Sequence, residues 1–272
     1  MKLSIVIPAR NEAGNIGLTI EGLREVLKRE AIDYEIVLVD DGSTDGTAAE
    51  VASIMKLDTS IRLVRNTGLN GFGRAVQCGL NHFAGDAVVI YMADASDSPE
   101  DVVKYYHILK NTSDCAFGSR WIRNGGVSNY PLLKRMVNRL ANTFIRLLFG
   151  IHYNDITNAF KGYRRRVIEG CRPLLSPHFN MTVEIPLKAI VRGYSYSVVP
   201  ITWKNRRLGQ SSLNMKEMGS RYLYIVLIVW LEKLLTKDDY RRRSEKAVLS
   251  DSPSHAQNLT DSSAQDPQSL LD

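Results

Sequence analysis

The chain has 272 residues, of which 44% are apolar, 24% charged and 8% aromatic. That composition excludes collagen-like, wholly disordered and multi-span membrane classes, and the length favours one large domain with appendages. Net charge is +6. Residues 238–272 hold four Lys/Arg against seven Asp/Glu, a net −3, so residues 1–237 carry +9. Such a body favours an anionic partner: nucleic acid, a membrane surface or a phosphorylated small molecule.

Residues 1–8 form too short an apolar run for a signal peptide and read as a first buried strand. Short β-rich runs recur at 35–40, 61–64, 87–92 and 114–118, with helical patterns between them. Runs of Ile, Val and Leu without polar alternation are buried on both faces. They predict an α/β fold with a Rossmann-like, mostly parallel central sheet flanked by helices. Ligands of such sheets sit beyond the carboxyl ends of the strands, which directs attention to the residues just after Ile7, Val39 and Met92. Residues 131–150 predict an amphipathic helix, with Leu132, Met136, Leu140, Phe144 and Leu147 apolar and Lys134, Arg135, Arg139 and Arg146 basic. Residues 222–231 are apolar throughout, about half the roughly 20 residues that a membrane span needs. Both segments read as core, partner-facing or interfacial helices. Beyond Lys237 the Ser, Asp, Gln and Pro content, after Arg241, Arg242 and Arg243, predicts a disordered tail over 238–272. The glycosylation sequon at Asn258 lacks a secretory signal and is discounted. Cys78, Cys115 and Cys171 are odd in number without CxxC spacing, indicate neither a disulfide framework nor a zinc site, and fit a reducing cytosol.

The chemistry gathers at strand ends. The first strand runs into Pro8-Ala9-Arg10-Asn11-Glu12, and the second into Val39-Asp40-Asp41-Gly42-Ser43-Thr44-Asp45-Gly46-Thr47. Aspartate and glycine in one such loop often only make turns and caps; their joint appearance at successive strand ends favours a ligand. Gly71-Phe72-Gly73 is not a dinucleotide fingerprint, because it lacks the third glycine and follows the third strand instead of the first. After the fourth strand comes Met92-Ala93-Asp94-Ala95-Ser96-Asp97-Ser98-Pro99. Asp97 and Ser98 also fit a helix cap ahead of Pro99.

Together these loops resemble the nucleotide-binding half of inverting family-2 glycosyltransferases with the GT-A fold. The resemblance covers about residues 3 to 235. It implies that Asp41 contacts the base edge, with Pro8, Arg10, Glu12 and Val39 around base and ribose. It also implies a Mg²⁺ or Mn²⁺ that counters charge developing on a departing diphosphate. The family's Asp-x-Asp is altered here, leaving Asp94 as the expected principal metal ligand and Asp97 as a helper. Arg120 and Arg123, after the fifth strand, are expected at pyrophosphate or acceptor phosphate, since arginine's planar fork suits such oxygens.

Residues 154–163 resemble the cleft segment of polyprenyl-phosphate sugar synthases, which implies substrate roles for Asp155 and Lys161, and Glu184 falls where that family often has an acid. Residues 199–212 look like the basic loop of dolichyl-phosphate mannose synthases, with Arg206 as the matching arginine. The usual lysine falls on Ser212, so one charge is absent or is supplied by Lys216.

The resemblance thus implies one GT-A domain over 1–237, with a nucleotide-binding half of about 1–120 and an acceptor half of about 121–237. The implied reaction is inverting, metal-dependent transfer of a hexose, mannose favoured, from a nucleotide-diphosphate sugar to a dolichyl or undecaprenyl phosphate. The enzyme would sit peripherally on the cytoplasmic membrane face, by direct lipid contact or through a membrane subunit. Two other readings stay open: a soluble glycosyltransferase acting on a saccharide or protein, and a non-catalytic nucleotide-sugar-binding subunit. Nucleic-acid binding rests on charge alone and ranks last.

Overall fold

The computed structural model describes residues 1–128, 130–204, 215–236 and 239. Arg206, Ser212, the side chain of Lys216 and nearly all of the expected tail lie outside the described residues.

The chain alternates as the strand and helix patterns require: β1 Leu3–Ala9, α1 Ile16–Arg29, β2 Tyr34–Asp40, α2 Thr47–Met55, β3 Ile61–Arg65, α3 Phe72–His82, β4 Ala87–Ile90, α4 Pro99–Asn111 and β5 Cys115–Ser119. Next come β6 Gly126–Ser128, α5 Leu132–Phe149, β7 Lys161–Arg164, α6 Arg165–Gly170, α7 Met181–Val191, β8 Tyr196–Pro200, β9 Thr202–Lys204 and α8 Met215–Leu235. One sheet orders its strands β3-β2-β1-β4-β7-β5-β8. All neighbours are parallel except β7, which runs antiparallel to both β4 and β5. The sheet therefore does not stop near residue 120: β7 and β8, from the expected acceptor half, complete it.

Period-two alternation sends side chains to two cores. Ile5, Ile7, Ile36, Leu38 and Val89 join one apolar cluster with Ile16, Ile20, Leu23 and Leu27 of α1. Val6, Val37, Val39, Val88 and Ile90 join the other, with Val183, Ile185 and Leu187 of α7 and Ile225, Val226 and Val229 of α8. Both faces of the sheet are thus covered, which is why its strands show no polar alternation.

The amphipathic helix expected over 131–150 is α5, ended by Gly150 in the left-handed conformation (φ 62°). It buries little besides Asn142, Ile145 and Phe149. Leu132, Leu133, Met136, Leu140 and Leu147 are all more than 60% exposed. The apolar run at 222–231 belongs to the 21-residue α8. Among the described residues no helix is long and apolar enough to cross a membrane. α8 is fastened by Arg192, whose guanidinium donates to both carboxylate oxygens of Glu232 (2.6 and 2.9 Å), and by Lys233 Nζ donating to Phe149 O (2.6 Å).

Truncating Glu232 to Ala strips a buried arginine of its carboxylate and is expected to cost about 3 kcal/mol. Urea unfolding monitored by circular dichroism checks this.

Candidate active site

The site is built where β1 lies between β2 and β4. Neighbouring strands are spaced about 4.8 Å apart, so the ends of β2 and β4 stand about 10 Å apart across β1. Asp41 N donates to Ala9 O (2.9 Å) on one flank of β1, and Tyr91 N donates to Val6 O (3.0 Å) on the other. Two acidic loops, 40–47 and 93–98, are thereby set on the same edge of the sheet.

Pro8 and Val39 are register partners on β1 and β2, both buried. Arg10 is exposed at the following turn, and Glu12 is half-buried. That turn is tied to the loop after β2: Glu12 N donates to Thr47 Oγ1 (2.9 Å), Ala13 N to Asp45 Oδ2 (3.1 Å) and Thr44 N to Asn11 Oδ1 (2.8 Å). Glu50 of α2 accepts from the amides of Gly14 and Gly17 (2.9 and 3.0 Å), satisfying donors around the start of α1. Asp41 is buried, its carboxylate accepting from Asn66 Nδ2 (2.6 Å) and from the amide of Gly71 (2.8 Å).

On the other flank the chain leaves β4 early, at Ile90, and turns through Ala95 in the left-handed region (φ 54°). Tyr91 OH donates to Asp97 O (2.5 Å) and Ser96 N to Asp94 Oδ1 (3.2 Å), so the turn is internally braced. β9 lies against it: Asp97 bridges Trp203, and Lys204 N donates to Ser96 O (3.0 Å). A cleft of about 330 Å³ opens between α1 and this turn, lined by Asn15, Thr19, Ser96, Asp97, Glu100 and Lys204.

Asp94 and Asp97 are both buried. Burial, reinforced by the negative charge of Asp94 and opposed by Arg120, pushes the Asp97 carboxyl up to about 8. Its Oδ1 is buried and has no hydrogen-bond partner among the described residues. An orphaned carboxylate oxygen next to a second acid is a fit for a hard divalent cation, which uses one or two carboxylates and completes its shell with phosphate oxygens and water. Among the described residues no three metal-ligating side chains converge, so any such ion relies on that completion.

Arg120 follows β5 and is almost wholly buried. It donates through Nε and a terminal nitrogen to the two oxygens of Asp155 (2.8 and 2.7 Å), and its amide also reaches Asp155 (3.0 Å). Burial works against the guanidinium charge, but the hydrogen bonds and attraction of Asp155 outweigh it and raise its pKa. Asp155, fully buried, therefore fixes an arginine instead of meeting the sugar directly. Arg123 is exposed in the turn that follows.

Two expected substrate contacts lie in the protein interior. Lys161 sits inside the protein, donating to the carbonyls of Ile156 (2.9 Å), Thr182 (3.1 Å) and Asn158, so it ties the 155–158 loop to α7. Burial, opposed by Asp155, pushes its pKa down to about 7. Glu184 is also fully buried. It accepts from the amides of Leu175 and Ser176 (2.7 Å each) and pairs with Lys188 (2.6 Å), which clamps the loop before α7.

The sequence reading passed over a cationic cluster. Trp121 has Arg135, Arg139 and Arg120 around its ring, their guanidinium carbons 5.2, 5.4 and 5.7 Å from the centroid. Tyr130 packs edge-on to both Trp121 and Trp203. Trp121 Nε1 is buried without a partner. Arg135 and Arg139 are one turn apart on α5 and form no salt bridge among the described residues. The 131–150 pattern held the signal in its i,i+4 arginines, but only the folded chain brings Trp121 beneath them.

A groove of about 340 Å³ runs between α5 and α8, and Tyr130, which packs against Trp121, forms part of its wall. Its walls are mainly apolar, including Val137, Ala141, Phe144, Leu223 and Val226, and Tyr130, Lys134, Asn138 and Thr157 supply polar groups.

A doubly covered, mostly parallel sheet with acidic loops at adjacent strand ends and a basic pocket beside them defines a GT-A type α/β protein. Residues 4–171 match the family described as Glycosyl transferase family 2, and the chain belongs to it; it is a family-2 glycosyltransferase. Over 216 residues it is 31% identical to polyprenol monophosphomannose synthase of Mycolicibacterium smegmatis, covering 77% of this chain and 80% of that one. Over 231 residues it is 33% identical to dolichol-phosphate mannosyltransferase of Pyrococcus furiosus, covering 82% of this chain but 63% of that longer one. Glucosyl-3-phosphoglycerate synthase from Mycobacterium tuberculosis, solved with phosphoglyceric acid, superposes with a TM-score of 0.63 at 18% identity, over 85% of this chain and 79% of that one. The same enzyme solved with Mn²⁺, uridine diphosphate and phosphoglyceric acid gives 0.63 at 17% identity, over 85% and 78%. At these identities the solved structures establish the fold.

A carboxyl raised to about 8 in the folded protein keeps its proton over a range where the unfolded chain ionises freely, so the folded state loses stability progressively as pH rises from about 4 to about 8. Asp97→Asn is therefore expected to stabilise the cation-free protein relative to wild type, with the gap in melting temperature widening from pH 5 to pH 8. Calorimetry in chelator across that range checks the sign.

Proposed function

We propose that this chain transfers a hexose, mannose in preference, from a nucleotide-diphosphate sugar to a polyprenyl phosphate with inversion. The observation that carries the acceptor assignment is the apolar groove whose wall includes Tyr130, the ring that packs against the indole the arginines surround. Guanidiniums crowded around one indole repel each other and are stabilised by an anion, and an apolar channel beside them suits a hydrocarbon chain. A monophosphate lipid has both parts; a neutral saccharide acceptor has neither. The names of the two relatives, a polyprenol monophosphomannose synthase and a dolichol-phosphate mannosyltransferase, support the same acceptor and sugar.

In this reading the nucleotide lies along the β1 and β2 ends, with Asp41 at the base, and Pro8, Arg10, Glu12 and Val39 nearby. Asp94 and Asp97 would hold Mg²⁺ or Mn²⁺, which offsets charge on the departing diphosphate. Arg120, kept in place by Asp155, faces the same anionic region, and Arg135 and Arg139 hold the acceptor phosphate. That phosphate is already ionised, so positioning by arginines matters more than proton abstraction. Arg123 stays a candidate for the acceptor side, and Arg206 and Lys216 for closure over the diphosphate, from the family resemblance.

The acceptor's tail has to come from a lipid phase, and α5 and α8 present its approach. Leu147 is 79% exposed and Leu227 42% exposed on these helices, with Lys134 and Arg146 on α5 to meet lipid phosphates. We infer a peripheral contact with the cytoplasmic leaflet; the three unpaired cysteines fit that compartment.

Three variants test this reading. Asp94→Ala is expected to lower cation-dependent transfer by at least 100-fold, the scale of losing a key electrostatic group, with an unchanged melting curve; near-normal turnover contradicts the metal assignment. Ala141→Trp, which fills the groove, should abolish transfer to long polyprenyl phosphates while nucleoside diphosphate binding persists. The double variant Leu147→Glu, Leu227→Glu should lose co-sedimentation with anionic vesicles, and binding equal to wild type rejects the membrane contact.

A further inference from the structure

The loop between β3 and α3 has no part in the resemblance that drew attention to the strand ends, yet it controls the carboxylate of Asp41. Asn66 follows β3, and its amide donates to Asp40 O (2.9 Å), docking the loop's first residue on the end of β2. Its side-chain nitrogen donates both to Asp41 Oδ1 (2.6 Å) and to Leu69 O (3.1 Å), while its side-chain oxygen accepts from the amide of Gly68 (3.2 Å). The oxygen's partner is a donor and the nitrogen's partners are acceptors, so the side-chain amide has one orientation. The second oxygen of Asp41 accepts from the amide of Gly71 (2.8 Å).

That arrangement is buttressed from behind. A side chain at Gly71 would place its Cβ 2.5 Å from the carbonyl oxygen of Pro177, so only glycine lets the loop sit this close. The 175–177 segment is held by Glu184 through the amides of Leu175 and Ser176. Phe72 stacks on Phe179 with ring centroids 4.1 Å apart.

The partners of Asp41 differ in kind from those of the carboxylates in the buried ion pairs. Asp155 is neutralised by Arg120 and Glu184 by Lys188. Among the described residues Asp41 has no cationic partner; its two donors are a neutral carboxamide and a backbone N–H. Neutral donors fix the rotamer without cancelling the charge. Each carboxylate oxygen can accept more than one hydrogen bond, so among the described residues one acceptor position per oxygen stays unused.

We propose that Asn66 is the positioning residue for base recognition: it locks Asp41 so that its free acceptor positions meet N–H donors on the edge of the nucleotide's base. This rests on the reading that Asp41 contacts the base. The ligand class it implies is a nucleoside diphosphate whose base carries a ring N–H, as guanine and uracil do and adenine does not.

Calorimetric titration of GDP, UDP, ADP and pyrophosphate into wild type, Asp41→Asn, Asn66→Ala and Asn66→Asp tests it. Wild type is expected to bind GDP or UDP more tightly than ADP. Asn66→Ala should shrink that preference about tenfold, the scale of a hydrogen bond to a charged group, with pyrophosphate affinity unchanged. Asn66→Asp, which sets a like charge beside Asp41, should shrink it further. If Asp41→Asn removes the preference and Asn66→Ala keeps it, the positioning role is overturned while the base contact stands. If wild type has no preference, or Asp41→Asn keeps it, the base contact itself fails and the role of Asn66 with it. A purely structural role for Asn66 would lower affinity for all four probes together.

Discussion

Everything chemical in this protein depends on β1 being hydrogen-bonded to β2 on one side and β4 on the other. Because β1 is central, the loops after its two neighbours must emerge on one edge of the sheet, about 10 Å apart, a distance that suits a diphosphate between a base and a metal. The register that pairs Pro8 with Val39 and Val6 with Ile90 fixes that separation. It is held in turn by the two apolar clusters that sandwich the strands. Core packing therefore determines the spacing of the acidic loops, and the loops need only local turns to aim their side chains.

The second determinant is how each buried charge is compensated. Arg120 with Asp155, Glu184 with Lys188 and Arg192 with Glu232 are closed pairs. They fasten, respectively, the turn after β5, the loop before α7, and α8. Lys161 is held in the interior by carbonyl oxygens, but other charges left without such closure lie at the edge where the acidic loops emerge or beside it: Asp97 with an orphaned oxygen, Asp41 with neutral donors only, and Arg135 and Arg139 gathered over Trp121. A protein that stabilised every buried charge internally would have no electrostatic free energy left to offer a substrate. This contrast separates the groups that build the site from those poised to bind.

Much of this was legible in the sequence, and the limits have physical causes. The parallel strands and both acidic loops could be read because unbroken Ile/Val/Leu runs and Asp/Gly turns are local signals. β7 could not, because Lys161–Arg164 is short and polar, and it pairs antiparallel through contacts that are distant in sequence. Asp155, Lys161 and Glu184 were recognised as significant but assigned to substrate, since a carboxylate or ammonium looks the same in sequence whether it faces a cleft or a buried partner. Trp121 and Tyr130 carried no local pattern at all. Their meaning comes from the folding of β6, α5 and β9 into one neighbourhood.

The most direct test of the central claim is product formation by the wild-type protein on a matrix of nucleotide sugars and polyprenyl phosphates, with Mn²⁺ and with chelator. Lipid-linked hexose formed only with the cation, from a mannosyl nucleotide in preference and with no product on saccharide or peptide acceptors, is the predicted result. Donor turnover onto a soluble acceptor with polyprenyl phosphate ignored, or donor binding with no transfer under any condition, would contradict it.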